Sequence, residues 1–440
     1  MDQHEPKPAR TSVQGLHCFA KSRHFALIEF VHKCARIDFV RSPSHPIFLA
    51  LLVLLCPWVS VAQDFRDFDD FLRQHELASP ESRPVLVQSF VKWQQSHGGF
   101  PIRKTTGDVV FVYIGDGQEK DVRLTGDFRQ SSFSNVNWDN VGEPMERTGT
   151  IFYRRRLFEP DARLDYKFIV DGKDRRDPLN PRTLISGSGG GEVSELVMPG
   201  HQMPIITSIE DSRLRGSLRR LEESWAQPRV TIYLPPGYDP SGSYPTIYTA
   251  DGSAWVDLIR LPAILDHLIA KRAIEPVIAV MIDATTDRNS WYSYNEDYLK
   301  YLRRVVDYVD ATYATRPQAG ARLHAGTSAG GRAALYAGLE LPDYFGNLAL
   351  LSASLSGPVY YLEPYFSGRK RPDSKMRIWM SAGTYEGYIY RDAQAMEAYF
   401  KGVGIPITAT YLHQGHSFGA WRESAEEVLL HFFPSPLTKE

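Results

Sequence analysis

Three regimes of hydrophobic patterning follow one another along the chain. In "FDDFLRQHELASPESRPVLVQSFVKWQQSHGG" apolar residues recur at helical spacing and stop at Gly98 and Gly99, which predicts a helical lead-in over 63–100. The period then falls to two. "GDVVFVYIGD", "DVRLTGDF", "TIFYRRRLF" and "RLDYKFIVDG" are short alternating runs bounded by Gly, Asp, Asn and Pro, and they predict a small β-sandwich over 101–186. "SGSGGGE" at 186–192 reads as a flexible linker, which places a domain boundary within 187–204. Beyond it, over 205–440, near-continuous apolar strands such as "RVTIYLPPGY", "YPTIYTADG" and "PVIAVMIDA" alternate with helical stretches. That pattern predicts a buried, mostly parallel sheet, an α/β domain.

Composition adds little to this picture. With 440 residues, 43% of them hydrophobic and 23% charged, the chain has enough apolar material for two domains. Fifty basic against 52 acidic side chains leave a formal charge of −2 with no long run of either sign, so nucleic acid is not an expected partner. The run "IFLALLVLLCPWVSVA" at 47–62 follows Arg41 and has the order of a secretory signal peptide, with removal expected after Ala62. A membrane anchor needs about 20 apolar residues, and this run is shorter. The expected location is therefore periplasmic or secreted, without stable membrane insertion. Residues 1–62 read as leader and signal peptide, with translation expected to start near Val40 so that 1–39 are not made. Cys18, Cys34 and Cys56 all precede the cut, which leaves a mature chain without thiols. Scattered histidines, with no H-E-x-x-H and no paired cysteines, point to no metal and no cofactor.

The pattern G-x-S-x-G occurs twice, as Gly326-Thr327-Ser328-Ala329-Gly330 and as Gly415-His416-Ser417-Phe418-Gly419. A nucleophile at such a motif needs a strand, a tight strained turn and then a helix, with small residues around the serine. "LHAGTSAGGRAALYAGLEL" offers all of these, so Ser328 is the candidate nucleophile. A serine hydroxyl attacks poorly unless an imidazole takes its proton, and a late loop in the chain is the expected source. His416 fills that role, with His413 as the rival. The acid that orients the imidazole should follow an intervening strand; Glu386, after "RIWMSA", is the candidate, with Asp392 or a serine–histidine pair lacking a third member as alternatives. The N–H of Ala329, next to the nucleophile, is the expected oxyanion donor, partnered by a residue of "TADGSAW".

These stretches resemble the putative-esterase group of α/β-hydrolases, which includes enterochelin esterases, S-formylglutathione hydrolases, some feruloyl esterases and mycolyltransferases. "VTIYLPPGYD", "YPTIYTADGSAW", "HAGTSAGGRAALYAGLELPDYFG" and "GHSFGAW" carry the likeness over roughly 228–433. "VRLTGDFRQ", "WDNVGEPMERTGTIFYRR" and "LDYKFIVDGKDRRDPLNP" resemble early-set, glycogen-binding-type immunoglobulin-like domains. Together the two implied domains look most like enterochelin esterases. The resemblance implies Ser328, His416 and Glu386 as the catalytic residues, the backbone N–H of Ser253 as the second oxyanion donor, and Trp421 as packing under the histidine loop. "DRNSWYSYNEDYL" departs from the enterochelin group, which leaves the substrate open.

The activity so implied is hydrolysis of a siderophore, aryl or acetyl ester through an acyl-enzyme. Acyl transfer, feruloyl or acetyl-xylan ester hydrolysis on glycans, and non-catalytic glycan binding stand as alternatives, and the expected partner is a small-molecule or glycan ester. Trp255, Trp291 and Tyr385 are candidate substrate contacts, among aromatics that would equally serve ordinary packing. Trp138 is either a glycan-stacking ring or a core or interface residue. If the second motif owes its role to His416, Ser417→Ala should keep most of the ester-hydrolysing activity, while His416→Ala should lose it about as fully as Ser328→Ala, in a side-by-side turnover assay.

Overall fold

The computed structural model describes residues 64–129, 138, 141–187, 191–203, 215–355 and 359–436; residues 1–62, read above as leader and signal peptide, lie outside them. Two helices, Phe68–Leu77 and Arg83–Ser96, open the described chain. Their apolar faces meet where Phe71 stacks on Phe90 at 4.0 Å, and they cover Val110, Val112 and Ile151 of the sheet that follows. The strand Asp108–Ile114 is consequently buried on both sides. Val110 and Val112 face the helices, and Val109, Phe111 and Tyr113 face the interior between two antiparallel sheets.

The second of these sheets runs through Val122–Gly126, Arg163–Val170, Glu192–Val197 and Thr183–Ile185. Here the structure corrects the reading of 186–192 as an interdomain linker. Glu192–Val197 pairs antiparallel with both Thr183–Ile185 and Arg163–Val170, and the Ser186 N–H donates to the Gly191 carbonyl at 2.9 Å. The strands on either side of the glycine-rich stretch thus pair with each other inside the sandwich, so the boundary proposed within 187–204 cuts through a strand. Glycine suits a tight turn and a linker alike, and composition alone does not separate the two.

The larger domain carries an eight-stranded sheet in the order Ser217–Arg220, Val230–Leu234, Ile278–Ile282, Thr246–Ala250, Arg322–Thr327, Asn347–Leu351, Arg377–Gly383 and Ile407–Leu412. The first two strands are antiparallel to their neighbours and all later pairs are parallel. Helices Glu296–Thr312, Ala329–Glu340 and Tyr388–Gly402 bury one face, and Leu261–Ala270 and Phe418–Phe432 bury the other. Trp255, a candidate substrate contact, is fully buried in the second of these cores and cannot touch a substrate. Its indole fills space that the short helix Gly252–Asp257 would otherwise leave empty against the sheet.

Arg322–Thr327 lies in mid-sheet, so its side chains are buried throughout. His324 is among them. The Tyr298 hydroxyl donates to its Nε2 at 2.6 Å, and its Nδ1 donates to the Tyr248 carbonyl at 3.0 Å, so Nδ1 carries the proton. Burial pushes this imidazole from its ordinary 6.5 down to about 4. The unfolded chain therefore binds a proton that the folded chain refuses. The stability contributed by neutral His324 is complete above about 6.5 and is lost as the pH falls through about 4. Urea unfolding across that window should show stability falling by up to about 1.4 kcal/mol per pH unit from this group, and His324→Asn should flatten the slope.

Candidate active site

The strand Arg322–Thr327 ends at a turn whose central residue, Ser328, has φ 55° and ψ −123°, followed at once by the helix Ala329–Glu340. A non-glycine residue rarely holds positive φ, and the strain persists only because the surroundings fix it. Three glycines allow the turn to close. A Cβ on Gly326 would collide with the Gly330 carbonyl, one on Gly330 would lie 2.9 Å from a carboxylate oxygen of Asp251, and one on Gly331 would lie 2.8 Å from the Ala353 Cβ. On either side of the serine, its N–H donates to the Leu351 carbonyl at 3.0 Å and its carbonyl accepts from the Ser354 N–H at 2.9 Å.

His416 stands on the loop after the last strand. Its Nε2 accepts from the Ser328 hydroxyl at 3.0 Å, and its Nδ1 donates to Glu386 Oε1 at 2.7 Å. Glu386 is wholly buried, and its other oxygen accepts the Gly383 N–H at 2.7 Å. The Trp421 ring meets the imidazole edge-on at 4.8 Å and donates through Nε1 to Ser352 Oγ at 2.9 Å. The three side chains thus form one hydrogen-bonded line, an arrangement able to move a proton from Oγ to the imidazole while a buried carboxylate balances the charge. The rivals lie elsewhere. His413 pairs through Nδ1 with Asp161 at 2.7 Å, and Asp392 belongs to the helix Tyr388–Gly402.

Ala329 opens its helix, so its N–H has no acceptor one turn back and remains a donor beside the serine. Ser253 requires a correction. Its N–H donates to Asp283 Oδ1 at 2.6 Å, its hydroxyl binds the same carboxylate, and Arg229 holds that carboxylate at 2.8 Å from the other side. A donor so engaged cannot also bind a developing oxyanion. Ser417 Oγ accepts the Gly419 N–H at 3.1 Å and caps the helix Phe418–Phe432, a structural role rather than a nucleophile's.

Among the proposed substrate contacts besides Trp255, Tyr385 gives its hydroxyl to Glu159 of the sandwich at 2.6 Å, and burial pushes that hydroxyl far up. Trp291 packs edge-to-face on Tyr298 at 5.7 Å and also against Tyr301. Trp138 is buried, with its indole N–H on Asp127 at 3.0 Å, so it takes the core or interface role.

Two arginines stand beside the turn: Arg288, which the sequence offers as solvated surface or as a contact for an anionic substrate, and Arg332, which sequence reading missed. Arg288 makes two 2.7 Å bonds to Asp251, and Arg332, in the first turn after Ser328, ties down the Tyr292 carbonyl at 3.0 Å and the Ser293 hydroxyl at 3.1 Å. Neither sits in a local pattern, because its partners are about 40 residues away in the chain.

Residues 225–424 match the family model described as Putative esterase. That match covers just under half of the chain. The Iron(III) enterobactin esterase of Escherichia coli (strain K12) is 29% identical over 270 residues, which covers 58% of this chain and 66% of the relative. The chain thus spans just under two thirds of the length of that relative. The Endo-1,4-beta-xylanase/feruloyl esterase of Xylanibacter ruminicola is 28% identical over 222 residues, 46% of this chain and 29% of that protein.

Among solved structures, the ferric enterobactin esterase of Salmonella typhimurium superposes with a TM-score of 0.66 at 20% identity, covering 78% of this chain and 98% of that one. The Shigella flexneri enterobactin esterase in the presence of enterobactin gives 0.65 at 22%, covering 78% and 97%. At those identities the likeness speaks for the fold, an α/β-hydrolase domain preceded by a β domain. Within the esterase domain the turn should tolerate no side chain at 326. Gly326→Ala should lower turnover of an activated ester by about 100-fold through misplacement of Ser328, and differential scanning calorimetry should show a lower unfolding temperature.

Proposed function

We propose that the protein is an exported serine carboxylic-ester hydrolase of the enterochelin esterase-like kind, acting through an acyl-enzyme. The observation that carries this reading is the hydrogen-bonded line from Ser328 through His416 to Glu386 at the end of a strained strand–turn–helix. Ser328 Oγ attacks the ester carbonyl carbon as its proton passes to His416 Nε2. The carbonyl oxygen becomes an oxyanion facing the Ala329 N–H. On collapse of this intermediate the alcohol leaves with the proton from His416, and the acyl group stays on Ser328. Water then attacks the acyl carbon, giving its proton to His416, and the carboxylic acid departs as Oγ recovers its hydrogen.

An enterobactin esterase among the relatives and an aromatic-rich chain favour an aryl or siderophore-type ester as substrate. Export rests on the apolar run at 47–62. Hydrolysis of p-nitrophenyl acetate by the mature protein should fall to background in Ser328→Ala, and by about 10⁴ in kcat for Glu386→Gln, which keeps the shape but withdraws the charge that favours the imidazolium. Equal rates for wild type and Ser328→Ala would end the proposal. Ferric enterobactin, methyl ferulate and acetylated xylan, assayed in parallel, then identify the substrate class.

A further inference from the structure

The two glycines that give the 415–419 stretch its look of a nucleophile motif face the β-sandwich. A Cβ on Gly415 would collide with the carboxyl group of Asp127, and one on Gly419 would collide with the guanidinium of Arg163. Two charged side chains from the other domain therefore fill the space beside the backbone on either side of His416.

Both are buried, at 3% and 2% exposure, and both are held. Asp127 Oδ1 accepts from the Trp138 indole at 3.0 Å, and Oδ2 accepts from the Asp165 N–H at 2.7 Å. Arg163 pairs with Glu195 and, at 3.4 Å, with Glu423, donates to Ser417 Oγ at 3.3 Å, and through its backbone N–H reaches the His413 carbonyl at 3.0 Å. The loop thus lies between the sandwich on one side and Trp421 on the other, with His416 in its middle.

Removing two charges from water costs free energy that a purely structural contact between apolar side chains would not. Fixed directional partners, in return, hold a loop more narrowly than apolar packing does. We propose that Asp127 and Arg163 are positioning residues for the reaction: they hold the loop 415–419 so that the His416 imidazole stays on Ser328, which makes the β domain a working part of the site. This rests on the reading of His416 as the base.

The charged groups around Asp127 are Asp165 and Arg163 on its own sheet, Lys167 over the Trp138 ring at 5.5 Å, Glu195 and Glu423 through Arg163, and Glu386 across the junction. Burial pushes the Asp127 carboxyl up to about 6, against the two N–H bonds that favour its charged form.

The test is kcat and KM on p-nitrophenyl acetate for the full chain and for Gly415→Ala, Asp127→Ala, the double variant of these two, Asp127→Asn and Ser328→Ala. Thermal unfolding is followed for each. Gly415→Ala should lower kcat by about 100-fold with KM within about twofold. The double variant should recover about tenfold over Gly415→Ala, since the methyl then has room. Asp127→Asn, which keeps the shape and one acceptor, should lose less kcat than Asp127→Ala.

Wild-type kcat in both Gly415→Ala and Asp127→Ala, with Ser328→Ala inactive, overturns the positioning role and leaves the proposed function standing; so does a loss confined to KM. An active Ser328→Ala overturns the proposed function itself. If Gly415→Ala does not fold, Asp127→Ala decides, and unchanged kcat in it rejects the proposal.

Discussion

The site depends first on the turn at Ser328. Positive φ at a serine is unfavourable by itself, and here it is imposed from both ends by a strand fixed in mid-sheet and a helix that starts on the next residue. Gly326 packing on the Gly330 carbonyl is what lets strand and helix approach so closely. Given that turn, Oγ stands where late loops of a parallel sheet can reach it, because the parallel strands in this sheet end at the same rim. Arg377–Gly383 and Ile407–Leu412 pair parallel beyond the nucleophile strand, and so deliver Glu386 and His416 to one place.

A second constraint comes from the other domain. The strand Arg163–Val170 turns Leu164, Tyr166 and Phe168 into the sandwich interior, while Arg163, Asp165 and Lys167 point the other way and are buried as well. Such a polar face would be a liability in an isolated sandwich. Contacts with the histidine loop and with the helix that follows it account for much of that burial, through Asp127 against Gly415 and Arg163 against Ser417, Gly419 and Glu423. Tyr385, adjacent to Glu386, adds a hydrogen bond across the same junction to Glu159. The small domain is thus tied to the loops that carry both Glu386 and His416.

Much of this was readable from local pattern. Helical spacing marks Phe68–Leu77 and Arg83–Ser96, period two marks the sandwich strands, and apolar strands alternating with helices mark the large sheet. The line of Ser328, His416 and Glu386 was readable for a related reason, since each residue follows a recognisable strand in a fixed chain order. Where the reading failed, a local signal was compatible with two long-range outcomes. A glycine-rich run read as an interdomain linker proved to join two paired strands of one sheet. Trp255 was counted as a rim aromatic and proved to be core. The Ser253 N–H was read as free, but Asp283, thirty residues on, already holds it.

What the sequence determined by itself is therefore the order of the elements and the identity of the hydroxyl, imidazole and carboxyl groups that meet, because hydrophobic period and small residues around a turn act over a few positions. The tertiary structure decided which donors are spent, which aromatics are buried, and why residues 415 and 419 are glycine. The last of these depends on side chains more than 250 residues away filling the space beside the loop, and a volume occupied by a distant residue leaves no periodicity in the local sequence.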